Sequence, residues 1–209
     1  MQYMFKEKTM ARQTRRLTDL NREKPAFTSP ETEEIVNRLR ARTGDERLAS
    51  STEFSPTAVS MIRRVLRGEG MIIPDTEPLA ASLRTALPDN TRAEVVCYLE
   101  DRSVGLLAES KHITRAEVAV DAALSHPGAK VMIIGTAPAA LARLIAHRRT
   151  MPMSDVVTVA TVSGFAQAVE LKERLRDSGM SYIVIRGRSG GPAAADALMH
   201  SIFDTVNKK

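Results

Sequence analysis

Lys130-Val131-Met132-Ile133-Ile134-Gly135-Thr136-Ala137-Pro138 is the stretch on which the fold turns. An unbroken apolar run of strand-forming residues ends at Gly135. An alanine-rich segment, Ala137 to His147, follows with Pro138 in its first turn. A run that is apolar at every position, rather than at every second one, suits a parallel strand buried on both faces. Gly135 permits a sharp turn or a close approach to a ligand, and Pro138 is tolerated at a helix start, where its missing N–H has no partner anyway. A strand feeding a helix N-terminus leaves amide donors and partial positive charge at the strand's carboxyl end, which is a place for an anion. The same residues also describe an ordinary strand–turn–helix with no ligand.

Working outward, further apolar runs at Met71–Ile73, Val95–Leu99, Val156–Ala160 and Tyr182–Ile185 read as strands. Helical patterns cover about 76–86, 104–124, 137–148, 164–177 and 191–206. Five strands alternating with helices predict a mainly parallel sheet covered on both faces, since right-handed crossovers place helices there. Ligands of such sheets sit beyond the strands' carboxyl ends. The residues found there are Asp75, Gly135-Thr136, Ser163-Gly164 and Arg186-Gly187-Arg188-Ser189-Gly190-Gly191-Pro192. Upstream, Ser29-Pro30 and Ser55-Pro56 are helix-start signals, and Thr43-Gly44 and Gly68 to Gly70 are stops. Residues 1–30, with Arg12, Arg15, Arg16 and Arg22, are expected to be a basic arm, leaving 31–209 as a single α/β domain.

Aromatics are 4% of the 209 residues and Trp is absent, so the core must be aliphatic. No stretch approaches a membrane span and the start carries no apolar signal region, which leads to the expectation of a soluble, cytoplasmic protein. Cys97, the single cysteine, sits in an apolar run and reads as a small core residue rather than a nucleophile. The formal charge is +5, carried by 22 arginines and only eight lysines. That bias favours forked recognition of carboxylates or phosphates. No nucleic-acid-binding signature accompanies it, so an acidic small molecule is the preferred partner.

The loop after Tyr182–Ile185 is the clearest chemical signal. Arg186 and Arg188 supply charge at the mouth of the sheet, and Gly190-Gly191 lets the backbone fold around an anion. No lysine–Ser/Thr pair follows the glycines, which excludes a Walker loop. The alternative is a loop whose arginines bridge to acidic side chains. Thr114 is a plausible N-cap, and Arg115 beside it opposes the helix dipole unless a bound carboxylate, or solvent, offsets it. His112, His126, His147 and His200 show no metal-ligand spacing, and no metal site is expected. Glu170 and Lys172 lie two apart on a helix and do not face each other; separate roles or plain solvation are both open.

Phe54-Ser55-Pro56, the VVCYLED strand, Thr114-Arg115, IIGTAPAAL, GFAQAVELKERL and IRGRSGGPAAADAL together resemble the precorrin-8X methylmutase family of cobalamin biosynthesis, from about residue 30 to the C-terminus. The resemblance implies a flavodoxin-like three-layer α/β/α sandwich with an N-terminal helical extension, and a homodimer with its pocket near the subunit interface. It implies an isomerase that moves a methyl group between adjacent ring C carbons of precorrin-8 or its cobalt form, without a cofactor. An arginine-rich rim suits that substrate's acetate and propionate arms. The substrate-binding candidates it gathers are Thr114, Arg115, Gly135, Thr136, Ala137, Ser163, Gly164, Arg186, Arg188, Gly190 and Gly191.

The chain departs from the family in two places. The position of the family's acid histidine holds Arg40, a poor proton donor near neutral pH, and a Pro-Val-Gly-Phe segment becomes Val162-Ser163-Gly164-Phe165. Three readings follow: a methylmutase acting by tight binding of the product-like state or with His112 as substitute acid; a corrinoid carrier that has lost catalysis; or a flavodoxin-like binder of another phosphorylated or acidic ligand.

Overall fold

The computed structural model describes residues 29–68, 70–164 and 166–207; the predicted arm falls almost wholly outside them. Six strands form one sheet: β1 (Thr52–Phe54), β2 (Met71–Pro74), β3 (Glu94–Val95), β4 (Lys130–Ile134), β5 (Val156–Ala160) and β6 (Ser181–Ile185), in spatial order β1-β6-β5-β4-β2-β3. All neighbours are parallel except β1, which lies antiparallel to β6 with Thr52 opposite Ile185. Without β1 this is the flavodoxin strand order, and the chain reverses direction of winding between β2 and β4.

Three details differ from the sequence expectation. The sheet has six strands rather than five, because the three-residue edge strand β1 is too short, and too polar at Glu53, to show a period. The run Val95–Leu99 pairs only at its start, although the Val96 amide still donates to the Ile72 carbonyl at 2.9 Å. The helical pattern over 104–124, with Thr114 read as an N-cap within it, is two helices, α5 (Arg102–Lys111) and α6 (Arg115–Ser125). His112 between them takes the left-handed conformation at φ 54, and Thr114 restarts the chain with a capping box to Glu117.

The remaining described helices are α1 (Pro30–Thr43), α2 (Glu46–Ser50), α3 (Ala58–Arg67), α4 (Glu77–Ala86), α7 (Pro138–His147), α8 (Ala166–Arg176) and α9 (Pro192–Val206). The Ser29 hydroxyl accepts from the Thr32 amide at 3.2 Å to start α1, and Gly44 at φ 65 ends it. Strand residues alternate between two cores. Val131, Ile133, Val157, Val159 and Ile183 face α1, α3, α4 and α9 through Ile35, Ile62, Leu83 and Leu198. Met132, Ile134, Ala160 and Val184 face α7 and α8 through Leu141, Leu144, Leu171 and Leu175. Burying each such aliphatic side chain stabilises the fold by about 1.5–3 kcal/mol, so the sheet and not the surface charges holds the strand ends in place. Among the described residues no helix is long and apolar enough to cross a membrane.

Candidate functional site

The β4–α7 turn sits at the winding reversal. The amides of Gly135, Thr136 and Ala137 all donate to one oxygen, Oδ2 of Asp75, at 3.0, 2.7 and 3.3 Å. Asp75 follows β2 directly, so its carboxylate bridges the two strand ends between which ligands of this fold bind. Ala137 has no capping side chain of its own, and Asp75 supplies the acceptors that α7 lacks. Burial pushes the Asp75 carboxyl above its ordinary range, and the three amides pull it back only in part. Its Oδ1 is buried without a partner. The anion place expected after Gly135 is therefore filled by the chain itself. Behind it lies a cavity of about 20 Å³ lined by Pro74, Tyr98, Leu99, Ala116 and Ala140, roughly enough for one water.

The next two strand ends are stitched to each other. The Gly191 amide donates to the Thr161 carbonyl at 2.5 Å, the Thr161 hydroxyl returns a bond to the Gly191 carbonyl at 3.1 Å, and the Gly164 amide donates to the Arg188 carbonyl at 3.2 Å. Gly190, at φ 137, leaves no room for a side chain: a Cβ there would lie 2.0 Å from the Thr161 carbonyl oxygen. Gly135 joins this group, since a Cβ would meet the Pro192 Cα at 3.1 Å and Thr161 Oγ1 at 3.3 Å. Gly135, Thr136, Ala137, Ser163, Gly164, Arg188, Gly190 and Gly191 thus converge at one end of the sheet, with Thr136, Ser163 and Arg188 exposed on its rim. Asp75, expected only as a residue beyond a strand end, and Thr161, not singled out at all, organise the site. Position after an apolar run is the signal that marks both.

The other expected site residues lie elsewhere or are otherwise engaged. Arg186 is only 5% exposed and points into the α8 side, 3.4 Å from Glu173 Oε1 and 3.8 Å from Glu53 Oε2. This corrects its expected place on the rim: β6 is buried on both faces up to Ile185, so the following side chain starts inside, where the two acids draw it. Glu53, 1% exposed, also accepts from Arg176 Nε at 2.8 Å and the Tyr182 hydroxyl at 2.9 Å. Burial, then the Glu53 carboxylate, pushes the Tyr182 hydroxyl up to about 12.

The Thr114 hydroxyl is committed to the capping box, donating to Glu117 Oε2 at 2.7 Å and accepting from the Glu117 amide. Arg115 is exposed, and its guanidinium lies over Gly105 of α5. Its neighbour Ala116 lines the cavity shared with Asp75, so the start of α6 flanks the winding reversal. His112 is exposed at the α5–α6 corner. Arg40 lies at the α1–α2 corner, bonded to Glu46 and Asn37, and the Glu46 hydrogen bond raises its pKa further from any proton-donating range. Among the described residues, no group of three or more His, Cys, Asp and Glu is placed to hold a metal ion.

Comparison with known proteins gives a consistent answer. The family profile described as precorrin-8X methylmutase matches residues 9–205, beginning within the segment expected to be an arm. The chain is 33% identical over 178 residues to the cobalt-precorrin-8 methylmutase of Salmonella typhimurium, covering 85% of this chain and 83% of that one. It is 32% identical over 169 residues to the cobalt-precorrin-8 methylmutase of Methanothermobacter thermautotrophicus, covering 81% and 78%. The solved precorrin-8X methylmutase from Thermus thermophilus superposes with a TM-score of 0.74 at 26% identity, over 87% of this chain and 89% of that one. A flavodoxin-like sheet whose βα loops converge at the winding reversal, matched across nearly its whole length, belongs to the precorrin-8X methylmutase family, isomerases of cobalamin biosynthesis.

Proposed function

We propose that this chain moves a methyl group between adjacent ring C carbons of a precorrin-8 or cobalt-precorrin-8 tetrapyrrole bound over the carboxyl ends of β4, β5 and β6. The observation that carries the reading is the stitching of three βα loops into one rim, with exposed Thr136, Ser163 and Arg188 on it and Arg115 at the flank of the reversal. Arg188 and Arg115 bind the carboxylate arms of the macrocycle, and the exposed hydroxyls bind its polar edges. The migration is intramolecular: the carbon–carbon bond that breaks and the one that forms share the methyl carbon. The protein then has two tasks, to hold the ring and to favour the product-like conjugated state. No cofactor takes part.

His112 lends a proton to the ring system as the methyl group shifts and takes it back as the product forms, so substrate and product stay isomers; Arg40 is tied to Glu46, and histidine is the side chain suited to proton transfer near neutral pH. A second copy completes the pocket. Leu106 and Leu107 of α5, 59% and 44% exposed, form the contact beside Arg115.

Titration with the corrinoid product, followed by the visible absorption of the tetrapyrrole, tests the binding. Saturation at a stoichiometric endpoint is expected, and no spectral change at high protein concentration overturns it. Methyl migration should survive Arg40→Ala and fall at least about 100-fold in His112→Ala with product binding intact. Activity gained only in Arg40→His would instead mean that the native chain binds without turning over.

A further inference from the structure

The largest fully buried side chain in the described structure is a cation. Lys172 of α8 is 0% exposed, and its Nζ donates to the Ser189 carbonyl at 3.1 Å, on the inner side of the Arg186–Gly191 loop. The charged cluster that includes its neighbour Glu173 pairs chiefly within itself. On its own helix Glu173 pairs with Arg176, from β6 Arg186 reaches Glu173 and Glu53, and from β1 Glu53 pairs with Arg176. Two carboxylates and two guanidinium groups balance in number, although Glu53 Oε2 and one Arg186 nitrogen keep no hydrogen-bond partner, and Lys172 is the cation in excess, favoured only by the field of Glu173, with Arg188 beyond it on the exposed side of the same loop. An unmatched buried ammonium is unfavourable by itself, whereas an apolar chain of the same length would fill the space at no such cost. Something at the loop must offset it.

We propose that Lys172 is a positioning residue whose buried ammonium braces the Ser189–Gly191 backbone from behind and supplies the positive charge that lets this loop receive a carboxylate arm of the ligand; the second half rests on the reading of the strand ends as a tetrapyrrole site. The brace acts where the loop has least freedom. Ser189 precedes Gly190, which abuts the Thr161 carbonyl, and Gly191, whose amide bonds to it. Burial lowers the Lys172 ammonium to about 8, with Glu173 opposing that shift, so most of the charge is present at neutral pH and it is withdrawn as the pH rises through that value. Above that value the neutral amine still donates to Ser189, but the charge-assisted part of the interaction and the attraction for an anion are gone.

The test has two arms. In the first, product affinity is measured from pH 7 to pH 9.5 by visible absorption in the wild type and in Lys172→Met. Wild-type affinity should fall about tenfold across that range, and Lys172→Met should bind about tenfold more weakly at pH 7 with no further fall. A flat wild-type profile, or the same fall in Lys172→Met, overturns the role of the charge. The second arm needs no ligand. Amide hydrogen exchange at Gly191, whose N–H is bonded to the Thr161 carbonyl, should lose about tenfold protection in Lys172→Met while Gly135, capped by Asp75, keeps its own; unchanged protection at Gly191 overturns the brace. If product binds neither protein at any pH, the tetrapyrrole reading fails and hydrogen exchange still decides the brace. If Lys172→Met does not fold, the wild-type pH profiles of affinity and protection decide both.

Discussion

Two strand-to-helix turns of this molecule look alike in sequence and are built differently. Both run from an apolar strand through glycine to a proline at the first helical position, at Gly135–Pro138 and at Gly187–Pro192. In the first, the helix-end amides are spent on Asp75, a carboxylate of the chain itself, and the turn is closed to an outside anion. In the second, no side chain among the described residues is seen to cap α9, the loop is held by backbone bonds to Thr161 and by Lys172 from behind, and Arg188 stands exposed on it. The comparison teaches that a helix N-terminus after a strand is an anion site only when nothing nearby in space has taken it.

The contrast can be broken or sharpened experimentally. Gly190→Ala should have the largest effect, since it places a Cβ against the fixed Thr161 carbonyl at a backbone angle that alanine avoids. A loss of about 4 kcal/mol, or about 10 °C in Tm, is expected from thermal melting, together with lost product binding. Next comes the pH dependence of stability. The unfolded chain holds the Lys172 proton up to its ordinary 10.5, and the folded chain releases it near 8. Between those values the unfolded state binds more protons, so stability rises with pH, by about 3 kcal/mol in total. Denaturant melts at pH 7.5 and 10.5 should show that rise in the wild type and its absence in Lys172→Met.

Asp75→Ala should cost about 2 kcal/mol by leaving three amides without their acceptor, and Asp75→Asn less than half of that, as read from urea midpoints. The alanine variant should also gain affinity for inorganic phosphate at the vacated amides, making the first turn behave as the second is proposed to. Arg40→Ala is at the small end: an exposed ion pair with Glu46 at the outer corner should leave Tm unchanged.

Much of the architecture was legible because apolar periodicity is a local record of burial. The runs at 131–134, 156–160 and 182–185 could only be central strands, and the two-sided core follows from them. The break at His112 was half legible: Thr114 reads as the N-cap that it is, whereas nothing in residue type or period marks the left-handed stop at His112 before it. The short edge strand left no period to read. At the site, the position of Gly135, Ser163, Arg188 and Gly190 beyond strand ends could be read directly, whereas the direction of a side chain could not. Arg186 and Arg188 are two residues apart with the same chemistry, yet one is buried against Glu53 and Glu173 and the other is exposed.

Sequence by itself determined which segments are the central strands, which end of each carries the polar and glycine-rich residues, and, through several motifs taken together, the family. Tertiary structure alone decided which charges are paired inside the protein and which stand at its surface. Asp75 meets Gly135 across 60 positions of chain, and Glu53 meets Arg176 across 123. Electrostatic pairing depends on distance in space, and the folded sheet, not the order of residues, sets that distance.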